Sequence, residues 1–293
     1  MRNEESCLAY AKVNLHLAVG TPYADGYHPI ESIFALVDVF DELTFSWEKR
    51  DKFSVEVFGL EAYCSKGSDT LTKAARLWYE ASGFSLDLKI HCKKNIPVKA
   101  GMGGGSSDAA SLLNILQRIA ENYALSQEKL ASVALQVGSD VPFFLSGYRI
   151  ASVEGRGEKI RKLPPRKMDV LIVKPGSYAI STSAAYKAID AKRADGFFVV
   201  QRGLQEIIDC FKKDSLLWNG MLYNDFQECT GYPEFYQTLE SLAGGYEGFG
   251  SLTGSGSCWF FISEHQQGVQ GLYNDIRDHF ANDVELWHTH LVY

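Results

Sequence analysis

Hydrophobic and polar residues alternate near the start of the chain. Val13, Leu15, Leu17 and Val19 fall on one face, and Lys12, Asn14 and His16 on the other, the period of a strand. Residues 8–19 are therefore predicted to form a strand whose polar face looks to solvent or to a site. A turn-rich run, Thr21-Pro22-Tyr23-Ala24-Asp25-Gly26, follows, and further β patterns occupy 32–36, 41–47, 53–58 and 86–91. Helical spacing covers 69–82, stopping at Gly83. It returns near 106–121, where Ala109, Leu112, Leu113, Leu116 and Ala120 share a face. A third helix starts at Gln127 behind the cap Ser126, carries Leu130, Val133, Ala134 and Val137, and ends at Gly138. Several short strands ahead of the first helix indicate an α+β fold, not a regular βαβ series. The charged, proline-bearing segment 159–167 marks a domain boundary, giving 1–165 and 166–293. Beyond it lie a short buried-strand pattern at 170–173, helical patterns over much of 182–240, and an apolar run at 258–262.

The helix near 106 is preceded by an unusual loop. From Pro97 the chain reads Val98-Lys99-Ala100-Gly101-Met102-Gly103-Gly104-Gly105-Ser106-Ser107-Asp108. Gly101, Gly103, Gly104 and Gly105 lack Cβ atoms and allow close backbone approach to a ligand. The helix start behind them offers unpaired amides and the positive end of the dipole, a cradle for phosphate. The run lacks the Gly-Lys-Ser/Thr ending of a Walker loop and the dinucleotide Gly-x-Gly-x-x-Gly spacing. Taken alone, it also fits a glycine-rich connection that happens to precede a helix.

A phosphate cradle becomes a phosphoryl-transfer site when a metal-bound polyphosphate, a proton-accepting group and an in-line acceptor come together. Asp140, just past the helix stop in Gly138-Ser139-Asp140-Val141-Pro142, is the candidate base. Lys12, a cation on an otherwise apolar strand, is its candidate partner. Singly, each also fits an ordinary turn carboxylate and an exposed strand lysine.

Composition narrows the choices. The 293 residues suffice for two packed domains, and a net charge of −7 argues against a broad basic surface for nucleic acid or anionic lipid. Charges interrupt every apolar run before about 18 positions, so no membrane span is expected. Glu4 and Glu5 argue against a signal peptide, which makes the cytoplasm the default location. The six cysteines, Cys7, Cys64, Cys92, Cys210, Cys229 and Cys258, form no Cys-x-x-Cys pair and are expected to be reduced thiols. His288 and His290 are the one close histidine pair and are expected in an exposed tail.

Three motifs together carry a resemblance. Ala11-Lys12-Val13-Asn14-Leu15 is followed by Asp25-Gly26-Tyr27-His28, then by the run from Pro97 to Ala110, then by Leu252-Thr253-Gly254-Ser255-Gly256-Ser257-Cys258. In order and spacing the chain resembles the GHMP kinase superfamily. The Asp-Gly-Tyr-His segment, which relatives acting on mevalonate or homoserine do not require, points within it to kinases of a cytidine diphosphate-linked polyol. The resemblance implies a two-domain α+β GHMP kinase architecture with the active site in the inter-domain cleft. It implies transfer of the γ-phosphoryl of ATP, as its Mg2+ complex, to the 2-hydroxyl of 4-diphosphocytidyl-2-C-methyl-D-erythritol, a step toward isoprenoid precursors.

Residue by residue, it makes Asp140 the base and Lys12 its neighbour, with Asn14 at the acceptor end. Pro97, Gly101, Gly103, Gly104, Gly105, Ser106 and Ser107 become the loop around the ATP phosphates, and Lys94 a nucleotide contact. His28 is placed at the cytosine edge, with Tyr27 and Tyr186 on the two ring faces. The implied partners are these small molecules, with no nucleic acid or membrane, in a monomer or weak homodimer. No carboxylate stands out as a magnesium ligand. Three positions depart from the pattern. Asp108 stands where asparagine is common and is expected to face away from phosphate, Asp69 stands where asparagine is frequent near adenine, and Ser257 replaces the usual alanine.

Overall fold

The computed structural model describes residues 3–176, 180–196, 202–229 and 231–293. Strand β1 (Asn3–Val19) runs antiparallel to β2 (Ile30–Lys49), from Asn3 opposite Trp47 to Val19 opposite Ile30. The other edge of β2 is shared: β4 (Leu86–Lys93) pairs with its residues 42–49, and β5 (Ile150–Gly155) with 30–35. Strand β3 (Ser54–Phe58) adds in parallel to β4, and β6 (Lys159–Lys162) adds antiparallel to β5.

The predicted strands at 32–36 and 41–47 are thus one strand of 20 residues. Val37 and Val39 between them are buried, so the inward alternation never breaks.

The predicted polar face of β1 does not reach solvent. Lys12, Asn14 and His16 are 3%, 1% and 0% exposed. Register shifts at Tyr10/Ala11 and Asn14/His16 interrupt the pairing there, as bulges do where a strand re-aims its side chains. Buried His16 takes the Tyr223 amide on Nδ1 at 3.3 Å. Loss of water pushes its pKa down to about 4, with the Tyr223 backbone contact opposing.

Helices α1 (Thr70–Ser82), α2 (Gly104–Ile119) and α3 (Gln127–Val137) cover the first sheet, burying Trp78, Leu112, Leu113 and Val133 against Phe45 and Leu88. Asp69 caps α1 by accepting the Thr72 amide at 2.7 Å, and Gly83 ends it at φ 69°. Ser126 caps α3 through the Lys129 amide. Helix α2 starts two residues earlier than predicted, because Gly104 and Gly105 are themselves helical. Glycine's low helix propensity hides this start from a sequence reading; the apolar face downstream overrides it.

A second, antiparallel sheet follows, in the order β10–β7–β9–β8, from β7 (Asp169–Pro175), β8 (Phe249–Leu252), β9 (Trp259–Ser263) and β10 (Val284–His290). His288 and His290 therefore belong to a strand, opposite Leu171 and Asp169, and not to a tail. Helix α4 (Val141–Leu145) precedes β5. Helices α5 (Thr182–Ala194), α6 (Leu204–Phe211), α7 (Pro233–Ala243) and α8 (Gln266–Phe280) complete the described elements. The predicted helical region 182–240 includes residues 197–201 and 230, which lie outside the described residues.

The two sheets share apolar cores. Val13, Leu15 and Ile33 of the first pack with Val170, Ile172 and Phe260 of the second. This mixed α/β arrangement of two sheets is the expected class. Among the described residues all six cysteines are free, and no helix is long and apolar enough to cross a membrane.

Candidate active site

The glycine loop leaves β4, passes beneath the third motif and enters α2. Gly101 has φ 77°, and a Cβ there would lie 2.0 Å from the Thr253 carbonyl oxygen, so only glycine lets the two loops touch. Gly103, φ 72°, precedes α2 with no side-chain cap. The Ser106 and Ser107 amides turn back to the Gly103 carbonyl at 3.0 and 2.9 Å. Those of Gly104 and Gly105 come before any carbonyl the helix can offer. These amides open onto a cavity of about 900 Å³.

Lys12 reaches the same cavity from β1. Its ammonium donates to Asn14 Oδ1 at 2.6 Å and to the Gly101 carbonyl at 2.9 Å, and lies 3.5 Å from Asp140 Oδ2. Burial lowers the Lys12 pKa below the ordinary lysine value, while Asp140 pulls the other way. Asp140 occupies the cap position of α4, yet its side chain makes no capping bond. The carboxylate is left 27% exposed beside the ammonium. A carboxylate and a cation so placed, next to amides able to hold a phosphate, can take a proton from an alcohol and offset the charge that develops.

Asn14 ties this corner to the third motif. Its Oδ1 also accepts the Gly254 amide at 2.8 Å, and its Nδ2 donates to Ser32 Oγ at 3.1 Å. Asn224 holds the same motif by donating to the Leu252 and Gly254 carbonyls at 2.7 and 2.9 Å.

Lys94 lines the cavity, but its ammonium is taken by carboxylates. It donates to Asp41 Oδ2 and, at 2.9 Å, to Asp108 Oδ2. Asp108 is 2% exposed, and the Lys94 ammonium on its Oδ2 offsets its buried charge. Asp69 also lines the cavity, with both oxygens engaged by Thr72, at 2.7 Å to the amide and 2.8 Å to the hydroxyl.

At the other end Tyr27, His28 and Tyr186 come together. The Tyr27 hydroxyl meets Ser139 Oγ, and its ring lies under the Arg156 guanidinium at 4.8 Å. His28 and Tyr186 have ring centroids 4.9 Å apart, and His28 Nε2 lies 2.8 Å from Asp190 Oδ1.

The cavity is lined by Lys12, Asn14, Tyr27, His28, Lys94, Pro97, Gly101, Gly103, Gly104, Gly105, Ser106, Asp140 and Tyr186. Ser107, 3% exposed, is buried in the helix instead. The sequence reading missed Asp41, Ser139, Asp190 and Asn224. Ser139 carried a signal as the neighbour of Asp140, and Asp190 because it follows Tyr186 at helical spacing.

Residues 69–148 match the family described as GHMP kinases N terminal domain. The 4-diphosphocytidyl-2-C-methyl-D-erythritol kinase of Pseudothermotoga lettingae is 36% identical over 281 residues, covering 94% of this chain and 96% of that protein. The enzyme of the same name from Desulfitobacterium hafniense is 32% identical over 300 residues, 99% of this chain and 97% of its own. A crystal structure of 4-(cytidine 5'-diphospho)-2C-methyl-D-erythritol kinase superposes with a TM-score of 0.73 at 27% identity, over 98% of this chain and 99% of that one. With relatives this similar along nearly its whole length, the chain belongs to the 4-diphosphocytidyl-2-C-methyl-D-erythritol kinase family of GHMP kinases.

Proposed function

We propose that this protein phosphorylates the 2-hydroxyl of 4-diphosphocytidyl-2-C-methyl-D-erythritol with ATP, in the supply of isoprenoid precursors. The observation that carries the reading is the position of the Lys12 ammonium, bonded to the Gly101 carbonyl and 3.5 Å from Asp140. One cation thereby joins the phosphate loop to a free carboxylate.

The triphosphate lies over the first amides of α2 with its γ-phosphorus toward Asp140. The acceptor oxygen attacks that phosphorus, the bond to the β–γ bridging oxygen breaks, and the hydroxyl proton passes to Asp140. Lys12 offsets charge on the attacking and transferring oxygens, and Asn14 fixes Lys12. Mg2+ enters with its nucleotide as substrate. The cytosine lies between Tyr27 and Tyr186, where stacking supplies roughly 1–3 kcal/mol, and His28 meets its edge. Residues 1–165 and 166–293 act as the two domains, in a cytoplasmic enzyme that draws on cellular ATP with its thiols reduced.

The test is a coupled assay with Mg-ATP and the cytidyl acceptor. The expected products are ADP and the 2-phosphate ester, and His28→Ala is expected to raise the acceptor KM while sparing that of ATP. Absence of turnover with the cytidyl acceptor, alongside turnover of mevalonate or homoserine, would assign a different substrate.

A further inference from the structure

The proposed cytosine end holds a carboxylate that the mechanism above does not use. Asp190 lies on α5 four residues after Tyr186, hence on the same helix face. Its Oδ1 is 2.8 Å from His28 Nε2. The imidazole is 7% exposed, and its ring leans on Tyr186 with the planes tilted by 31°. One helix thus fixes this ring twice, its place through an aromatic and its orientation through an acid.

A neutral imidazole carries one N–H, and the bond made by one nitrogen decides the character of the other. An ionised carboxylate only accepts. In its neutral form the His28 ring beside Asp190 carries its proton on Nε2, which leaves Nδ1 as a lone-pair acceptor. We propose that Asp190 is a positioning residue for base selection: by holding His28 as the Nε2–H tautomer, it makes Nδ1 accept from the exocyclic amine of cytosine and oppose the 4-carbonyl of uracil.

This rests on the cytidine reading given above. Stacking cannot make the distinction, because every base offers a π face. In the other tautomer Nδ1–H would donate to the uracil carbonyl and confront the cytosine amine. The position of one proton therefore sets the sign of the preference. Two like groups left facing each other cost on the order of 10–100-fold in affinity.

The test uses CDP and UDP as inhibitors competing with the cytidyl acceptor, in the full chain and its Asp190→Ala and Asp190→Asn variants. Asp190 is half-exposed, at 46%, so neither change opens the core. Wild type is expected to prefer CDP. Asp190→Ala is expected to narrow that preference by about 10-fold or more, mainly through KM of the acceptor, with ATP KM unchanged. Asp190→Asn, whose amide oxygen still accepts, is expected to retain most of it. Ring 15N shifts of His28 are expected to report Nε2–H in wild type and a tautomer mixture in Asp190→Ala.

An unchanged CDP-to-UDP ratio in Asp190→Ala, an equal loss for both nucleotides, or Nδ1–H in wild type overturns the inference. Wild-type protein that phosphorylates no cytidyl acceptor overturns the reading of the site itself, so the two failures are distinct.

Discussion

Two buried lysines flank the glycine loop in different surroundings. The Lys12 side chain is 4% exposed and faces a single carboxylate, Asp140, at 3.5 Å, with the neutral Asn14 oxygen closer at 2.6 Å. The Lys94 side chain, 7% exposed, faces two carboxylates, Asp41 and Asp108, that are themselves 0% and 2% exposed. Burial disfavours the charge on both. At Lys12 it prevails and the pKa falls; at Lys94 burial is outweighed by Asp108 and Asp41 together, and the pKa rises. The number, closeness and burial of the carboxylates together separate a lysine left open to a newly arriving charge from one locked in place. Lys12 meets the first condition and Lys94 the second.

The sharpest way to break this contrast is to remove the acid from each side. Asp140→Ala is expected to lower kcat by on the order of 10²–10⁴-fold or more. Far-UV circular dichroism should remain that of the wild type, since Asp140 makes no capping bond. An unchanged kcat would take Asp140 out of the chemistry. Lys94→Ala should act on the fold instead. It strands two buried carboxylates, and removing one partner of such a cluster costs about 3–5 kcal/mol. Urea unfolding measures that loss, and a variant as stable as wild type would mean the cluster is not a bolt.

The division of roles was only half visible in the amino-acid order. Lys12 and Asp140 were legible because each interrupts a local pattern, a lysine within an apolar strand and an acid just past a helix stop. The helix limits at Gly83, Ser126 and Gly138 were legible because caps and stops are local chemistry. The clamp on Lys94 was not, since Asp41 is 53 positions away and reaches it only because β2 and β4 pair. For the same reason the bond from Lys94 to Asp108 was not legible, since Asp108 was read only for its repulsion of phosphate. Strand β2 was divided in two because Asp41 puts a carboxylate at a buried position of the alternation. Asp190 became meaningful only once α5 was seen against His28.

A milder change sharpens the comparison by converting one environment into the other. Asn14→Asp would give Lys12 a second carboxylate, the situation of Lys94. The new acid keeps the acceptor for the Gly254 amide but loses the donor to Ser32 Oγ, now 3.1 Å from Asn14 Nδ2. The added charge should hold Lys12 more firmly and repel the transferring phosphoryl group. We expect kcat to fall on the order of 10–100-fold, with acceptor KM changing less. A kcat equal to wild type would mean that the carboxylate count at Lys12 does not matter for turnover.

The reciprocal change, Asp108→Asn, touches stability alone and carries the clearest sign. Burial pushes the Asp108 pKa up to about 7, Lys94 opposing and Asp41 adding to the rise. Asp41 has three donors, the Asn95 and Ile96 amides at 2.7 and 2.9 Å and the Lys94 ammonium, whereas Asp108 Oδ1 has no partner among the described residues. Cys92 and Cys7, the other titratable groups facing Asp108, are thiols whose pKa values are themselves raised by burial. The extra proton of the cluster therefore belongs on Asp108. A carboxyl whose folded pKa lies above its unfolded value near 3.8 binds more protons folded than unfolded between about pH 4 and 7, so its contribution to stability declines across that window and stays lost above it. An amide does not titrate. Relative to wild type, Asp108→Asn should therefore gain on the order of 1–3 kcal/mol between pH 5 and pH 8, read from urea midpoints at the two values. A pH-independent difference would place both acids in their ionised form throughout. The cluster under the loop would then carry a net negative charge beside the triphosphate, and Lys94 would be a counter-ion short of its task rather than a lysine locked by sufficient partners.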